Sequence, residues 1–204
     1  DQLERLIALG EPVRLKVDIG AQVNAPYTSQ NVIAEITGSE SPEKIVALGA
    51  HLDSWDVGTG AIDDGAGVGI VAAAAKLISE HAERPRRSIR VILFAAEEIG
   101  LWGGRAWAEA HKDNIENYQL AAESDFGAGP VYELAARVSD EAWPVVEAIQ
   151  AELEPLGIAM AGRSQARGGP DFSPMSRHGL AAVDLHQDGT NYFDYHHTEN
   201  DTLD

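Results

Sequence analysis

Three short, largely apolar runs each end in a histidine or an acidic residue. The runs and the residues that follow them are 45–50 with His51, 89–96 with Glu97 and Glu98, and 119–124 with Asp125. Such runs are typical of strands that are buried on both faces of a parallel sheet. Because ligands bind at the carboxyl ends of the strands in open α/β sheets, these residues predict a functional site where the three runs end.

The remaining pattern predicts an α/β fold in which strands alternate with helices. Further strands are expected at 13–19, where apolar and polar residues alternate, at 31–36 beside it, and at 180–185. Helices are expected at 64–81, which is rich in alanine, at 106–112, and at 140–156 with Asp140 as its cap. We therefore predict a three-layer sandwich with a mostly parallel central sheet and helices on both faces.

Length and composition narrow the classes of function. A chain of 204 residues without a repeat or linker is expected to form one domain, residues 1–204. Its 33 acidic and 15 basic residues give a net charge of -18, which argues against nucleic acid and anionic membranes as partners. No apolar run approaches the ~20 residues that span a bilayer, so no membrane insertion is expected. The absence of cysteine excludes disulfides and thiolate metal sites.

Histidines and carboxylates elsewhere in the chain are further groups that zinc accepts as ligands. His51 is followed two residues later by Asp53, which we expect to accept a hydrogen bond from the imidazole and to orient it. The pair Asp63-Asp64 precedes the alanine-rich helix, and taken alone it fits a helix cap as well as a functional site. The tail contains the pair His196-His197, and the residues alone do not decide which of the two binds metal.

Glu97 and Glu98 follow the apolar run 89–96 directly. A solvated turn is the alternative interpretation, but charges at the end of a buried strand are costly to desolvate unless they are paired or bound to metal. Successive side chains at a strand end point in opposite directions. One glutamate can therefore bind a metal ion while its neighbour faces the substrate, and this pattern favours a two-zinc peptidase.

Five segments, in this order, resemble the co-catalytic di-zinc aminopeptidase family. They are HLDSW at 51–55, GAIDDGAG at 60–67, AEEIGLWG at 96–103, ESD at 123–125 and YHHTENDT at 195–202. The resemblance covers nearly the whole chain and is closest to the carboxypeptidase Q branch, also called plasma glutamate carboxypeptidase. Each segment alone is weak evidence, but five in the same order are specific.

The resemblance implies two metal ions that share one ligand. Its ligand set transfers to His51, Asp63, Glu98, Asp125 and His197. In that scheme Asp63 bridges the ions, His51 and Asp125 complete one zinc site, and Glu98 and His197 complete the other. Relatives have a cis peptide bond after the bridging aspartate, so the bond between Asp63 and Asp64 is expected to be cis.

The resemblance also assigns catalytic roles. It makes Glu97 the general base that takes a proton from a metal-activated water. Asp53 is expected to hold His51 in place. His196 stands where glutamate-carboxypeptidase relatives have a tyrosine that stabilises the tetrahedral intermediate, so His196 either donates to that oxyanion or only packs.

The function implied is that of a di-zinc exopeptidase acting on dipeptides or on the amino-terminal residues of peptides. Two Zn²⁺ are the expected cofactors, with Co²⁺ or Mn²⁺ as substitutes. The resemblance alone implies three further properties: a small peptide as the partner, a possible homodimer, and a secreted or periplasmic location. Relatives also carry a protease-associated domain and terminal segments that lie outside residues 1–204, so the chain is expected to be the single zinc-peptidase catalytic domain.

The substrate and two alternative functions stay open at this stage. Selection of acidic side chains needs an arginine cluster, and near the motifs only Arg163 and Arg167 occur, in a Gly-rich stretch typical of a surface loop. Neutral or hydrophobic dipeptides are therefore favoured over glutamyl substrates.

Two alternative functions share the fold: a glutaminyl cyclase-like acyltransferase with one zinc, and a catalytically silent receptor-like protein. The presence of all five ligands and the base favours the peptidase.

Overall fold

The computed structural model of the protein describes residues 2–10, 12–22, 25–163 and 166–203. One sheet contains strands β1 Val32–Ile36, β2 Ser41–His51, β3 Arg87–Phe94, β4 Tyr118–Glu123, β5 Val131–Arg137, β6 Ala159–Arg163 and β7 Ala182–Gln187. The α-helices are α1 Gln2–Ala8, α2 Ala66–Glu80, α3 Trp102–His111, α4 Trp143–Leu153 and α5 Ser173–Ser176. Short 3-10 helices span Lys112–Asn117, Asp140–Ala142, Glu154–Leu156 and Tyr192–Asp194.

The sheet is mixed but mostly parallel, with the strand order β1-β3-β2-β4-β7-β5-β6. Strand β2 runs parallel to both β3 and β4, β4 runs parallel to β7, and β5 runs parallel to β6. The antiparallel pairs are β1 with β3 and β5 with β7. The three predicted strands that end in candidate ligands are therefore neighbours in the centre of the sheet, and the predicted α/β class is confirmed.

Helices cover both faces of the sheet because alternate side chains of the central strands point to opposite sides. On one face, Phe94 of β3 packs in a cluster with Trp107 of α3 and Met175 of α5. On the other face, Val91 of β3 packs with Val71 of α2. Full burial of a side chain such as Phe94 contributes about 1.5–3 kcal/mol. These clusters hold the sheet rigid beneath the ends of β2, β3 and β4.

The strand predicted at 13–19 is wrong. Residues 12–22 lie in neither a helix nor a strand, and Leu15, Val17 and Ile19 are at least 70% exposed. Alternation of apolar residues meets only one requirement of a strand, because a neighbouring strand must also pair with the backbone N–H and C=O groups. Strand β1, which was expected to pair with 13–19, pairs with β3 instead.

Several element boundaries differ from the prediction. Helix α2 begins at Ala66 rather than at residue 64, and α3 begins at Trp102 rather than at residue 106. Asp140 opens a 3-10 turn, the helix α4 begins only at Trp143, and neither start has a side-chain cap. Strands β5 and β6 were not predicted, since the alanines of β5 and Gly162 of β6 give a weak strand signal.

Among the described residues, no helix is both long enough and apolar enough to cross a bilayer.

Candidate metal centre

The candidate ligands come from the carboxyl ends of three neighbouring parallel strands. His51 is the last residue of β2, Glu97 and Glu98 follow β3 by a short turn, and Asp125 follows β4 by one residue. Parallel neighbours end on the same side of a sheet, so the three segments meet. The structure therefore brings together the residues that the three apolar runs predicted.

His51 is fixed by contacts on both ring nitrogens. Its Nδ1 lies 2.9 Å from the backbone carbonyl oxygen of Asp53. Its Nε2 lies 3.0 Å from Oδ1 of Asp63 and 3.4 Å from Oδ1 of Asp125. Metal-binding histidines commonly orient one nitrogen through a hydrogen bond to a carbonyl or carboxylate and present the other to the metal. His51, which is 1% exposed, has this arrangement with Nε2 toward the site.

Asp53 orients its neighbours in a way that the sequence did not predict. Its carboxylate lies 3.8 Å from Nδ1 of His51, so the orienting contact belongs to its backbone carbonyl instead. The two carboxylate oxygens accept hydrogen bonds from the backbone N–H groups of Glu97, at 2.9 Å, and Glu98, at 3.2 Å. Asp53 thus ties the loop after β2 to the turn that carries both glutamates.

Asp63 lies between two groups of candidate ligands. Its Oδ1 faces His51, and its Oδ2 lies 3.3 Å from Nε2 of His197. The same His197 nitrogen lies 2.9 Å from Oε2 of Glu98. The other Glu98 oxygen, Oε1, is buried and has no hydrogen-bond partner among the described residues. This arrangement places one carboxylate where it can serve two metal ions, with a buried oxygen ready to accept a further bond.

The peptide bond between Asp63 and Asp64 is cis, as the resemblance implied. Asp64 contacts two segments of the backbone. Its carboxylate oxygens accept hydrogen bonds from the backbone N–H of His51, at 3.0 Å, and of Gly67, at 3.1 Å. Asp64 therefore joins the end of β2 to the first turn of α2 through its contact with Gly67, although the residue before the helix is Gly65.

Asp201 supports the Asp63 loop from a distant part of the chain. It is buried, and its carboxylate accepts hydrogen bonds from the backbone N–H groups of Ile62, at 2.6 Å, and Asp63, at 3.2 Å. Its backbone carbonyl accepts a further bond from the N–H of Thr59. The sequence contained Asp201 within the tail motif, but nothing in the residues indicated a partner 138 positions away.

Replacing Asp201 by alanine is expected to lower the free energy of unfolding by about 3 kcal/mol, because two backbone N–H groups lose a charged acceptor. Urea unfolding followed by circular dichroism measures this change. Asn200→Ala, an exposed neighbour, is the matched control and is expected to be near wild type. A loss below about 1 kcal/mol in Asp201→Ala would show that the contact contributes little.

The tail histidines stack on each other and on Trp55. The His196 and His197 ring centroids are 3.7 Å apart, and Trp55 covers the other face of His197 at 4.5 Å with an angle of 14° between the planes. Nε2 of His196 lies 3.4 Å from Oδ2 of Asp63, a separation close to that of His197. Only His197 also reaches Glu98 in the described ion pairs, and that contact favours it as the ligand.

Burial and mutual charge shift the pKa values at the site. Burial acts to lower the pKa of His51, but its hydrogen bonds with Asp125 and Asp63 outweigh that effect and raise it to about 12. Burial acts to raise the pKa of Asp63, whereas the hydrogen bond and charge of His51 lower it overall. Burial raises the pKa of Asp125 and also that of Glu98, and it raises the pKa of Glu97 to about 8. Carboxylates that lie this close together and are shielded from water need positive charge to stay ionised, and metal cations can supply it.

The donor atoms fit zinc. Potential ligand atoms lie within 4.8 Å of one another in the sets His51, Asp63 and Glu98; His51, Asp64 and Asp125; and Asp63, His196 and His197. Imidazole nitrogens and carboxylate oxygens are ligands that zinc accepts, and Co²⁺ or Mn²⁺ share this preference. All five predicted ligands thus lie in one cluster.

A cleft of about 540 Å³ opens beside the cluster. Besides the acids and histidines of the site, it is lined by Leu101, Arg105, Phe126, Pro170, Tyr192 and Phe193. Glu97 lines this cleft, and no described hydrogen bond or ion pair joins its carboxylate to a candidate ligand. Glu97 therefore faces the space where a substrate can bind.

Arg163 and Arg167 do not line the cleft. Arg163 stacks on Trp143 at 4.6 Å and pairs with Asp140, and the backbone N–H of Arg167 donates to Asp184. The arginine that does line the cleft is Arg105, which the sequence pattern did not indicate.

A further pair of acids, Asp171 and Glu123, supports the site and was not predicted. Asp171 is fully buried, its N–H donates to Oε2 of Glu123 at 2.9 Å, and its Oδ1 accepts from the N–H of Gly104 at 3.1 Å. Burial raises the pKa of Asp171 to about 7, and burial also raises the pKa of Glu123. This pair joins the end of β4, and hence the position of Asp125, to helix α3.

Comparisons with known proteins identify the family of the chain. The sequence profile described as "Peptidase family M28" matches residues 31–204. Carboxypeptidase Q of Bos taurus is 36% identical over 203 residues, which cover 100% of this chain and 43% of that protein. Carboxypeptidase Q of Homo sapiens is also 36% identical, with the same coverage. The chain thus spans less than half the length of these curated relatives.

Solved structures share the fold. The peptidase M28 precursor from Shewanella amazonensis gives a TM-score of 0.81 at 56% identity, over 85% of this chain and 39% of that one. The zinc aminopeptidase BSAP from Bacillus subtilis gives a TM-score of 0.65 at 21% identity, over 84% of this chain and 44% of that one. At the lower identity the similarity supports the fold alone.

Proposed function

Because the chain belongs to peptidase family M28, we propose that it is the catalytic domain of a di-zinc exopeptidase that hydrolyses dipeptides or the amino-terminal residues of peptides. Asp63 would bridge the two ions. His51 and Asp125 would complete one site, and Glu98 and His197 would complete the other. The single observation that carries the proposal is the position of Asp63, whose two oxygens face His51 and His197 separately.

The side chains around this carboxylate support distinct roles. Bound zinc would lower the pKa of a water toward neutrality and polarise the peptide carbonyl. Glu97 lines the cleft beside the ligands and would take the proton and pass it to the leaving amine. Asp53 supports this role because its carboxylate holds the Glu97 backbone in place.

His196 is the proposed donor to the oxyanion. Its ring lies against His197 and its Nε2 faces the site, 3.4 Å from Asp63. Tyr192 packs near the other side of the ring, with centroids 4.8 Å apart, which limits how far the imidazole can turn. A ligand role is the alternative, and the contact of His197 with Glu98 disfavours it.

The cleft favours neutral or hydrophobic side chains in the substrate. Phe126, Tyr192 and Phe193 form one wall, and the centroids of Phe126 and Tyr192 lie 4.3 Å apart. Apolar surface of this kind binds apolar side chains through the area that it removes from water. Arg163 and Arg167 lie outside the cleft, so neither of them can select a glutamyl side chain there.

Removal of metal tests the proposal. The purified chain is expected to contain about two zinc ions per molecule and to hydrolyse leucyl and seryl dipeptides. A chelator should abolish hydrolysis, and added Zn²⁺, Co²⁺ or Mn²⁺ should restore it. Metal analysis and a dipeptide assay measure both effects. An assay for cyclisation of amino-terminal glutamine on the same protein tests the cyclase-like alternative.

Retained hydrolysis in metal-free protein would contradict a metal mechanism. Cyclisation without hydrolysis would indicate the cyclase-like alternative, and metal binding with neither activity would indicate the receptor-like one. The homodimer and the secreted or periplasmic location stay predictions from the resemblance.

A further inference from the structure

One cationic side chain lines the otherwise acidic cleft. Arg105 lies in the first turn of α3, eight residues after Glu97, and its side chain is exposed. Of the residues that line the cleft in the described structure, Arg105 is the only lysine or arginine. A guanidinium is a cation with five N–H donors and no acceptor.

The guanidinium of Arg105 has no carboxylate partner in the described part of the chain. Some other arginines pair with carboxylates, as Arg90 does with Glu35 at 2.6 Å. Others, such as Arg177, also have no described carboxylate partner, but Arg105 is the arginine that lines the cleft. Its donors are available to a ligand.

The guanidinium of Arg105 lies over the ring of Trp102. The Arg105 Cζ lies 5.7 Å from the centre of the Trp102 ring. The indole is itself held by a hydrogen bond from Nε1 to the carbonyl of Ile99 at 3.2 Å. Stacking uses the face of a guanidinium and leaves the N–H groups along its edge free, in a geometry that matches a carboxylate.

We infer that Arg105 binds the α-carboxylate of a dipeptide substrate, and this inference rests on the proposed function. Arg105 and Glu97 belong to the same stretch of chain after β3, whereas Phe126 and Phe193 form a different wall. Under the proposed function Glu97 passes its proton to the leaving amine, so the leaving residue lies toward Glu97, in the cleft that Arg105 also lines. In a dipeptide, that residue carries the free carboxylate.

The consequence is selection by length and by charge at the carboxyl end. A guanidinium and a carboxylate can form two parallel charged hydrogen bonds. A dipeptide with a free carboxylate should therefore bind more tightly than the same dipeptide as its carboxyl-terminal amide. A longer peptide places its carboxylate beyond the reach of Arg105 and should lose the same contact.

The test compares Leu-Ala with Leu-Ala-amide on the zinc-loaded full chain. Wild type is expected to prefer the free acid, and Arg105→Leu should lower kcat/KM for the acid roughly 10- to 100-fold, mainly through KM. The amide should change less than about twofold, so the preference disappears. Arg105→Lys should keep part of it, and Arg177→Leu, an exposed arginine away from the cleft, should leave both substrates unchanged.

A second pair of substrates distinguishes an α-carboxylate from an acidic side chain. If Arg105→Leu affected Leu-Glu-amide but not Leu-Ala, the carboxylate that it binds would be a side chain and the inference would be overturned. Equal loss on the acid and the amide would overturn it as well, because that pattern indicates general damage.

Binding measured by calorimetry separates the inference from the proposed function. The affinities of Leu-Ala and its amide are compared in the zinc-loaded Glu97→Gln variant, with and without Arg105→Leu, so that hydrolysis does not consume the ligand during the titration. Hydrolysis by wild type without any preference for the acid would overturn the inference and leave the proposed function intact. Binding that prefers the acid through Arg105, without hydrolysis of any peptide, would uphold the contact and contradict the proposed function.

Discussion

Replacement of Glu97 by glutamine is expected to lower kcat by about three to four orders of magnitude while the zinc content stays at the wild-type level. Glutamine keeps the shape of the side chain but cannot accept a proton. The Glu97 carboxylate makes no described contact with a candidate ligand, and its backbone remains held by Asp53. The metal site should therefore keep its geometry, and the loss should appear in turnover rather than in KM.

Steady-state kinetics and metal analysis on the same sample measure this prediction. Glu83→Gln is the matched control, since Glu83 is exposed in the turn between α2 and β3. Wild-type turnover in Glu97→Gln would refute the assignment of the base. Loss of zinc in that variant would instead show that Glu97 helps to hold the ions.

Replacement of Asp63 by alanine is expected to remove metal as well as activity. Asp63 is the one carboxylate that faces both His51 and His197, so its loss deprives both proposed sites of a ligand. Loss of a contact that merely supports a ligand already lowers metal affinity about 10–100-fold, and loss of a shared ligand should exceed that range. Hydrolysis should fall below detection at zinc concentrations that saturate wild type.

Competition with a chromogenic chelator measures the affinity, and elemental analysis gives the number of ions. Asp56→Ala is the control because Asp56 is an exposed carboxylate in the preceding loop. Two ions bound with wild-type affinity in Asp63→Ala would contradict the bridging role. One ion retained at full affinity would assign Asp63 to a single site.

The position of the site could be predicted from the residues because burial and charge gave independent signals. Continuous apolar runs indicated central parallel strands, and His51, Glu97 and Asp125 followed those runs directly. The rule that ligands bind at the carboxyl ends of parallel strands then determined which edge of the sheet carries the site. The sequence signal was strong here because it needed only local patterns and one general property of parallel sheets.

Contacts between distant segments could not be predicted in the same way. The residues alone did not relate Asp63 to His197, and that pairing came from the resemblance. Asp201 resembled any acidic tail residue until its hydrogen bonds to the Asp63 loop were seen. The backbone carbonyl of Asp53 orients His51. Because every residue has a backbone carbonyl, the residue type did not indicate this contact.

The strand errors have a related cause. Residues 13–19 alternate as a strand should, but strand formation depends on a partner that local pattern does not describe. Strand β5 has such a partner in β7, although its alanines give a weak signal. Pattern therefore predicts the centre of this sheet better than its periphery.

Because β2, β3 and β4 are parallel, their carboxyl ends and the candidate site lie at one edge of the sheet, and their amino ends lie at the opposite edge. The exposed turn at residues 81–84 precedes β3, whose eight residues separate that turn from the catalytic end by roughly 25 Å. Exposed turns of this kind accept inserted sequence most readily. An affinity tag or a surface anchor grafted there would immobilise the protein with its cleft turned toward the solution.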